Sequence, residues 1–235
     1  MKSLHQNFKD IEDEINFLKK KNNAIILSHF YQDEDIQDIA DFIGDSLDLS
    51  RKAQQNDSDV IVFCGVRFMA EVAKILSPHK KVILPDINAG CSLEESCQVN
   101  EFRAFKKKYP HHIVLSYINC SAEIKAESDI IVTSSNAAKI IESIPSNQKI
   151  IFAPDKHLGG YLNKITGRNM VLWNGTCIVH ETFSERELIK MKVRFDDAKI
   201  IAHPECPENT LKHADFVGST SSLLRFISIN DSKRF

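Results

Sequence analysis

Two cysteines of this chain sit in similar glycine-containing segments, Ala-Gly-Cys91 and Asn-Gly-Thr-Cys177. A thiolate is a ligand for soft metals, and three thiolates brought together could hold an iron–sulfur cluster with one iron open to a ligand. A glycine beside each cysteine would let the backbone approach a bulky cofactor closely. The spacing of Cys91 and Cys177 alone is weak evidence for a cluster, because free cysteines are often buried and inert. Cys64 and Cys120 are predicted to be packing or strand-end residues.

A zinc site is the alternative for the same region. Cys177-Ile-Val-His180 and the later His203 offer thiolate and imidazole ligands that suit tetrahedral zinc, as in a zinc-dependent hydrolase. The sequence has neither a Cys-x-x-Cys pair nor His-Glu-x-x-His, the usual signatures of such sites. The alternative therefore depends on three separated residues.

The composition narrows the functional classes. With 30 basic and 32 acidic residues the net charge is −2, which gives no electrostatic footprint for nucleic acid. No run approaches the roughly 18 apolar residues of a membrane helix, and the polar start of the chain is unlike a secretory signal. Six cysteines without dense, even spacing argue against a disulfide scaffold. We expect a cytoplasmic protein with reduced thiols that binds neither nucleic acid nor membrane.

Short apolar runs alternate with helical patterns along the chain, which predicts an α/β fold with parallel sheets. Because several runs are apolar throughout, we expect strands that are covered on both faces. Helical spacing of apolar residues in Phe8–Lys20 predicts an amphipathic helix that covers a sheet. The predicted strands are Ala24–Leu27, Val60–Phe63, Val82–Leu84, Ile113–Leu115, Ile130–Val132, Ile150–Phe152 and Ile200–Ala202.

The chain also contains an internal repeat. The segments around His29, Tyr117 and His203 align without gaps at offsets of 88 and 86 residues. The predicted second strands begin after Asp59, Asp129 and Asp215, and the third strands are Lys81–Pro85 and Lys149–Pro154. On this alignment the first unit carries about 18 extra residues, which contain Ser46. Repeats of this kind favour a symmetric array of small units.

We therefore predict a pseudo-threefold repeat of αβα units at residues 1–110, 111–197 and 198–235, with the third unit incomplete. Polar residues end several strands, where parallel α/β units bind their ligands. Taken singly, each of these residues could instead cap a helix or hydrogen-bond the backbone of a loop. Ser46, Ser134, Ser219 and Thr220 stand at predicted helix starts, which suits a phosphate or carboxylate. The other strand-end residues are His29, Tyr31, Tyr117, Asn119, His203 and Glu205.

Eight ordered segments together resemble the quinolinate synthase family, the A protein of de novo NAD synthesis. The likeness runs from about Ala24 to Phe226, and so many ordered matches are far more specific than any single motif. The segments are SHFYQ (28–32), IADFIGDSL (39–47), FCGVRFMAE (63–71), NAGCSL (88–93), SYINCSAEIKA (116–126), WNGTCIVHE (173–181), HPEC (203–206) and GSTS (218–221).

The resemblance implies three αβα units around a pseudo-threefold axis and the condensation of iminoaspartate with dihydroxyacetone phosphate. The products would be quinolinate, phosphate and water, and L-aspartate oxidase would supply iminoaspartate. A [4Fe-4S] cluster would be held by three cysteines, of which Cys91 and Cys177 are two. The third is expected some forty residues beyond the GSTS segment and is absent from this chain, and Cys206 is not expected to replace it.

The resemblance also implies roles for the polar residues. Glu205 and Tyr31 are the expected proton-transfer groups, while His29 and His203 would orient substrate oxygens and complete the catalytic set. Ser134, Ser219 and Thr220 would seat the phosphate. The expected substrate-binding residues are His29, Ser46, Tyr117, Asn119, Ser134, His203, Glu205, Ser219 and Thr220. An inactive fragment that binds ligand without catalysis is the alternative to the enzyme.

Overall fold

The computed structural model describes residues 8–235 and contains two compact units. The first unit ends at Ala89 and the second comprises Gly90–Phe235. Both are α/β, with all strand pairs parallel. The predicted fold class is confirmed in its repeated parallel sheets, whereas the division at residues 110 and 197 and the threefold axis stay predictions.

The first unit is built on a four-stranded sheet in the order β2-β1-β3-β4. A central β1 pairs with both β2 and β3, so its apolar residues are covered and Leu27 is fully buried. The strands are β1 (Ala24–His29), β2 (Phe42–Gly44), β3 (Val60–Cys64) and β4 (Lys81–Ile83). The helices are α1 (Ile11–Lys21), α2 (Glu34–Asp38), α3 (Ser46–Gln55) and α4 (Arg67–Leu76).

The predicted N-terminal helix begins at Ile11 rather than Phe8, because Asp10 caps it through a hydrogen bond from the backbone amide of Asp13. No residue of α1 is buried, and the Ile11 side chain is 73% exposed. The prediction that this helix covers the sheet therefore holds only for the half-buried Ile15 and Phe17.

The second unit repeats this order with β6-β5-β7-β8 and adds a two-stranded sheet of β9 and β10. Its strands are β5 (His112–Tyr117), β6 (Ile130–Val132), β7 (Lys149–Ala153), β8 (Val171–Leu172), β9 (Ile201–Ala202) and β10 (Phe216–Val217). Its helices are α5 (Ser92–Glu95), α6 (Val99–Lys107), α7 (Ala122–Ala126), α8 (Ala137–Ser143), α9 (Lys156–Thr166), α10 (Ile178–Glu181), α11 (Glu185–Arg194), α12 (Glu208–Leu211) and α13 (Thr220–Ile229).

An apolar core holds the larger sheet of the second unit. Val114 of β5 and Ile151 of β7 pack in one buried cluster with Phe102 of α6, Cys97 and Cys120. Trp173 lies against this cluster and meets Phe102 edge-on at 5.7 Å between ring centroids. Two of the six cysteines are thus packing residues, as predicted for Cys120. This rigid sheet fixes where its strands end.

Three aspartates mark the same place in each repeat. The carboxylates of Asp41, Asp129 and Asp215 accept a hydrogen bond from a backbone amide 15 residues earlier, at 2.7, 2.7 and 2.9 Å. These amides belong to residues 26, 114 and 200, at the gapless offsets of the sequence repeat. Each aspartate stands before the strand that pairs with the first strand of its sheet, namely β2, β6 and β10.

The pairing corrects the predicted repeat within the first unit. Its second strand is β2, after Asp41, and not the strand after Asp59, which is β3 and corresponds to β7. The first unit therefore carries no extra 18 residues. Ser46 instead follows His29 by 17 residues, as Ser134 follows Tyr117 and Thr220 follows His203. The three hydroxyls are equivalent positions of the repeat.

Candidate active site

A buried carboxyl group, Glu205, is the centre of a polar cluster in the second unit. It is 3% exposed and lies in the turn after β9. The phenol of Tyr117 donates a hydrogen bond to Glu205 Oε1 at 2.7 Å. His203 Nδ1 lies 3.4 Å from Oε1, and His180 Nδ1 lies 3.4 Å from Oε2. The thiol of Cys177 hydrogen-bonds the same carboxyl group.

Strand ends position these groups. Tyr117 is the last residue of β5, and His203 follows β9 directly. Cys177 is the N-cap residue directly before the short helix α10, and His180 lies within that helix. Tyr117 comes from the four-stranded sheet and His203 from the two-stranded sheet, so the carboxyl ends of strands in two sheets meet at this cluster. The structure thus brings together the predicted residues Tyr117, Cys177, His203 and Glu205, and His180 from the zinc alternative.

Burial controls the charge of the carboxyl group. It raises the pKa of Glu205 to about 8, with a further rise from the nearby Asp155, while the bonds from Tyr117 and Cys177 oppose it. Burial and the Glu205 charge also raise the pKa of the Tyr117 phenol well above its usual value. Near neutral pH the pair is therefore an acid and a phenol, both carrying protons.

The histidine beside this pair is neutral. Burial lowers the pKa of His203 to about 3, and the nearby His180 lowers it further. The backbone amide of Glu205 points at His203 Nδ1 at 3.4 Å, which makes Nδ1 the acceptor and leaves the proton on Nε2. His29 has the same relation to the amide of Tyr31, at 3.3 Å, and burial lowers its pKa to about 4. Each imidazole can therefore donate one hydrogen bond from Nε2.

The two loop cysteines are placed alike. Cys91 is the residue before α5 and Cys177 the residue before α10, and neither side chain makes a cap bond. The loops are joined because the amide of Ile178 donates to Ser92 Oγ at 3.2 Å. Burial raises the pKa of both thiols, to about 11 for Cys177, where the charge of Cys91 also contributes. The two thiols thus lie in loops that a hydrogen bond joins.

Gly175, two residues before Cys177, is required by a close approach, but the approach is to the protein itself. A Cβ at this position would lie 2.3 Å from Ser96 Oγ and 2.5 Å from the carbonyl oxygen of Pro154. The amide of Lys156 donates to the Gly175 carbonyl at 2.9 Å, which fixes the loop against the end of β7. The expectation that a glycine makes room for a cofactor is therefore replaced, at Gly175, by backbone packing.

Asp155 is a member of the cluster that the sequence analysis missed. It is fully buried, and its Oδ1 caps α9 by accepting from the Leu158 amide at 2.7 Å. Its Oδ2 has no hydrogen-bond partner among the described residues. Burial raises the pKa of Asp155 to about 6. A signal was present, because an aspartate directly after a buried strand is a typical strand-end site residue.

Contacts made by Glu181 hold the Cys177 segment in place. The Glu181 carboxylate accepts from the Thr176 hydroxyl at 3.1 Å and contacts His157 Nε2 at 3.1 Å. Lys156 Nζ lies 3.7 Å from the same carboxylate. The residues on either side of Cys177 and His180 are thereby fixed to the start of α9.

The predicted phosphate seat has the expected helix starts. Ser219 is the buried N-cap of α13, so Thr220 is its first residue, and Ser134 lies just before the cap of α8. Ser134 also hydrogen-bonds the Tyr117 phenol, which connects it to the Glu205 cluster. Asn119 is half-buried, two residues beyond β5.

The first unit holds the other three predicted residues. His29 ends β1 and is buried, whereas the Tyr31 side chain is 72% exposed. Ser46 is the first residue of α3, whose cap is Asp45, so the serine itself is not the cap. Their roles in binding and catalysis stay predictions.

Cys177, His180 and Glu205 could hold a metal, because one ligand atom of each lies within 4.8 Å of the others. A group of thiol, imidazole and carboxyl ligands at the strand ends of an α/β fold, beside a second proton-carrying group, has the side chains that a metal-dependent enzyme uses. None of the described helices combines the length and the apolar character needed to cross a bilayer.

The comparisons with known proteins agree with that class. The family described as Quinolinate synthetase A protein matches residues 13–235. Identity to the quinolinate synthase of Synechocystis sp. is 60% over 227 residues, which is 97% of this chain and 71% of the relative. For that of Chloroherpeton thalassium it is 60% over 226 residues (96% and 70%), and for that of Trichodesmium erythraeum 57% over 236 residues (99% and 73%).

The chain therefore belongs to the quinolinate synthetase A protein family and is an enzyme of that family. The family and the Cys/His/Glu group indicate a metal cofactor. The zinc hydrolase and the inactive fragment are not favoured.

Proposed function

We propose that this enzyme condenses iminoaspartate with dihydroxyacetone phosphate to give quinolinate, phosphate and water, with a [4Fe-4S] cluster as its metal cofactor. The observation that carries the proposal is the meeting of Glu205, Tyr117, His203 and the Cys177 thiol around one buried carboxyl group. Family membership supplies the reaction class. L-aspartate oxidase would supply the unstable imine.

The thiols of Cys91 and Cys177 would hold the cluster. Both are free, half-buried and placed before equivalent short helices in loops that are bonded to each other. An open iron of such a cluster would act as a Lewis acid on a substrate oxygen. Because thiolate ligation needs reduced cysteines, we also propose a cytoplasmic location.

We propose that none of the other cysteines of this chain is the third cluster ligand. Cys97 and Cys120 belong to the apolar core around β5 and β7. Cys206 is buried, and burial raises the pKa of its thiol to about 11. Its position next to Glu205 places it in the substrate-binding turn rather than in a glycine-containing loop.

Glu205 and Tyr117 would handle the protons of the reaction. Their 2.7 Å hydrogen bond lets a proton pass between phenol and carboxyl group without solvent. His203, with Nδ1 engaged by the backbone, would donate from Nε2 to a substrate carboxylate or carbonyl oxygen. Neither histidine nor phenol adds a formal charge, so a substrate anion would be recognised by hydrogen bonds.

The phosphate would be bound at the start of α13. Ser219 and Thr220 contribute hydroxyl groups at the N-terminus of a ten-residue helix, where the helix dipole favours an anion. Ser134, which bonds the Tyr117 phenol, would link this seat to the proton-handling pair. Asn119 is proposed as a further polar contact to substrate. His29, Ser46 and Tyr31 keep their predicted roles within the first unit.

The cofactor is tested by anaerobic reconstitution with iron and sulfide. We expect bound iron and sulfide and a broad visible absorption band, diminished in Cys91→Ser and in Cys177→Ser. Cys64→Ser is the matched control, because Cys64 ends β3 and is not a proposed ligand. An intact protein that binds neither iron nor sulfide, or a Cys64→Ser variant as impaired as the others, would contradict the assignment.

The catalytic pair is tested in the reconstituted enzyme by Glu205→Gln. Glutamine can still accept from the Tyr117 phenol, so the fold should be kept while proton transfer is lost. We expect quinolinate formation to fall by about 10²- to 10⁴-fold. Glu101→Gln, on α6, is the control. Full activity of Glu205→Gln, with reconstitution intact, would remove this residue from the mechanism.

A further inference from the structure

A pocket of about 440 Å³ lies in the second unit, where the strands of its four-stranded sheet begin. His112 and Lys149 are the first residues of β5 and β7, and Arg168 precedes β8. Tyr117 is the last residue of β5 and lies at the opposite end of the strands, so this pocket is separate from the Glu205 cluster. The ten residues that line it include no aspartate or glutamate.

The positive charge of this pocket is not neutralised. Arg168 donates to four backbone carbonyl groups, those of Ile141, Ile144, Pro145 and Ser146, at the end of α8. These partners hold the guanidinium in place but carry no net charge. Among residues 8–235 no carboxylate forms an ion pair with Arg168 or with the exposed Lys149. Two cations therefore line the same pocket: Arg168, which its carbonyl partners hold in place, and Lys149, which is exposed.

His112 adds evidence of a positive environment. Its Nδ1 is buried. Burial lowers the pKa of His112, the charges of Lys149 and His111 lower it further, and a hydrogen bond to the Tyr109 backbone opposes this change. An anion near Lys149 would offset the charges that lower the pKa of the ring.

The floor of the pocket is apolar. Ile150 and Met170 are 2% and 4% exposed, and Val171 lies beside them. The Gln148 side chain is fixed because its amide donates to the His111 and Lys149 carbonyl groups, each at 3.1 Å. A ligand here would meet cations at the rim and aliphatic carbon beneath. That combination suits a small organic anion.

We propose that this pocket, defined by His112, Lys149, Arg168 and Met170, is a binding site for a small phosphate-bearing molecule. The phosphate would lie against Lys149 and His112, with Arg168 contributing its charge from behind. The remainder of the ligand would cover Ile150 and Met170. The site does not depend on the proposed reaction, since none of its residues takes part in the Glu205 cluster.

The test uses the full chain, labelled with ¹⁵N, at constant ionic strength. Titration with inorganic phosphate and with phenyl phosphate should shift the amide signals of Gln148, Lys149 and Asn169. Lys149→Gln should weaken the apparent affinity by about threefold to tenfold, as expected for one charged contact. Lys107→Gln on α6 makes the same change in net charge and should leave the affinity unchanged. Arg168 is not a suitable first variant, because its four bonds stabilise the loop.

Comparison of inorganic phosphate with phenyl phosphate shows whether the pocket binds free phosphate or an organic phosphate. Tighter binding of phenyl phosphate identifies an organic ligand that uses the apolar floor, whereas equal affinity identifies free phosphate. Signal shifts confined to the amides near Ser219 and Thr220 would overturn the proposal, since they would place all binding at the start of α13. Equal weakening by Lys149→Gln and Lys107→Gln would also overturn it, because the effect would then be general electrostatics.

Discussion

The carboxyl group of Asp155 is buried near that of Glu205, and burial disfavours its ionised form. One oxygen caps α9, while the other has no hydrogen-bond partner within residues 8–235. Its pKa is raised from 3.8 to about 6, chiefly by burial. A raised pKa in the folded state means that folding favours the protonated form. Its contribution to stability is therefore full below pH 4 and is lost as the pH rises through 6.

Asp155→Asn should reveal this cost. Asparagine is also a good N-cap, and it is neutral at every pH. The free energy of unfolding of the variant, relative to the parent, should rise by on the order of 3 kcal/mol between pH 4 and pH 7, given a pKa of about 6 in the folded state. Urea denaturation at several pH values measures it.

Asp10→Asn makes the same exchange at the exposed N-cap of α1 and is the matched control for the loss of an aspartate cap. A difference for Asp155→Asn that does not change with pH would show that this carboxyl group ionises alike in the folded and unfolded chain.

The sequence predicts a site residue correctly where it also predicts the end of the strand that carries it. Tyr117, His203 and Glu205 stand directly at strand ends, and the structure gathers them. Asp155 occupies the same kind of position but resembles an ordinary helix cap, which it also is. Its second, unpartnered oxygen is a property of the packed interior and leaves no mark in the local sequence.

At the scale of elements, the repeated aspartate bond should stabilise each sheet. Asp129→Ala removes the acceptor for the Val114 amide at 2.7 Å and should lower the free energy of unfolding by about 1.5–3 kcal/mol. Asp129→Asn keeps an oxygen in place and should cost less. Equal losses for the two variants, measured by urea denaturation, would show that charge rather than the hydrogen bond matters.

The segment before Cys177 can be tested with a pair of glycines. Gly175→Ala would place a methyl group 2.3 Å from Ser96 Oγ, so the loop must move and we expect a loss of about 1–3 kcal/mol. Gly160, inside α9, has open space at the same atom. Gly160→Ala should be neutral or stabilise by about 0.5–1 kcal/mol, since alanine favours helix. Thermal unfolding compares the two, and similar melting temperatures would refute the packing argument.

Strand length does not decide which strands the sequence predicts. Apolar runs predict seven strands, among them the short β4, β6 and β9, but they do not predict β2 or β8, which have three and two residues. Without β2, the strand after Asp59 aligns with β6 and β10, and the first unit wrongly gains about 18 residues. The 17-residue spacing from His29 to Ser46 was the signal that would have corrected this. Strand pairing is set by contacts distant in sequence, which local patterns do not contain.

At the scale of the molecule, both proposed cluster ligands belong to the second unit. Cluster loading should therefore slow hydrogen exchange most in the segments 91–97 and 175–182, because a ligand that binds only the native state suppresses local opening. Mass spectrometry of peptides from the apo and reconstituted protein measures this. Protection confined to β1–β4 would contradict the assignment of Cys91 and Cys177.

The three aspartate bonds mark what the copies of the repeat share. Each copy uses the same carboxylate to hold its backbone and keeps a hydroxyl group at Ser46, Ser134 or Thr220. The strand ends differ more, because Tyr117 stands where the other copies have a histidine, and Glu205 stands where they have Tyr31 and Asn119. The 2.7 Å bond between phenol and carboxyl group therefore joins two positions at which the copies differ, while the aspartate bonds beneath them stay the same.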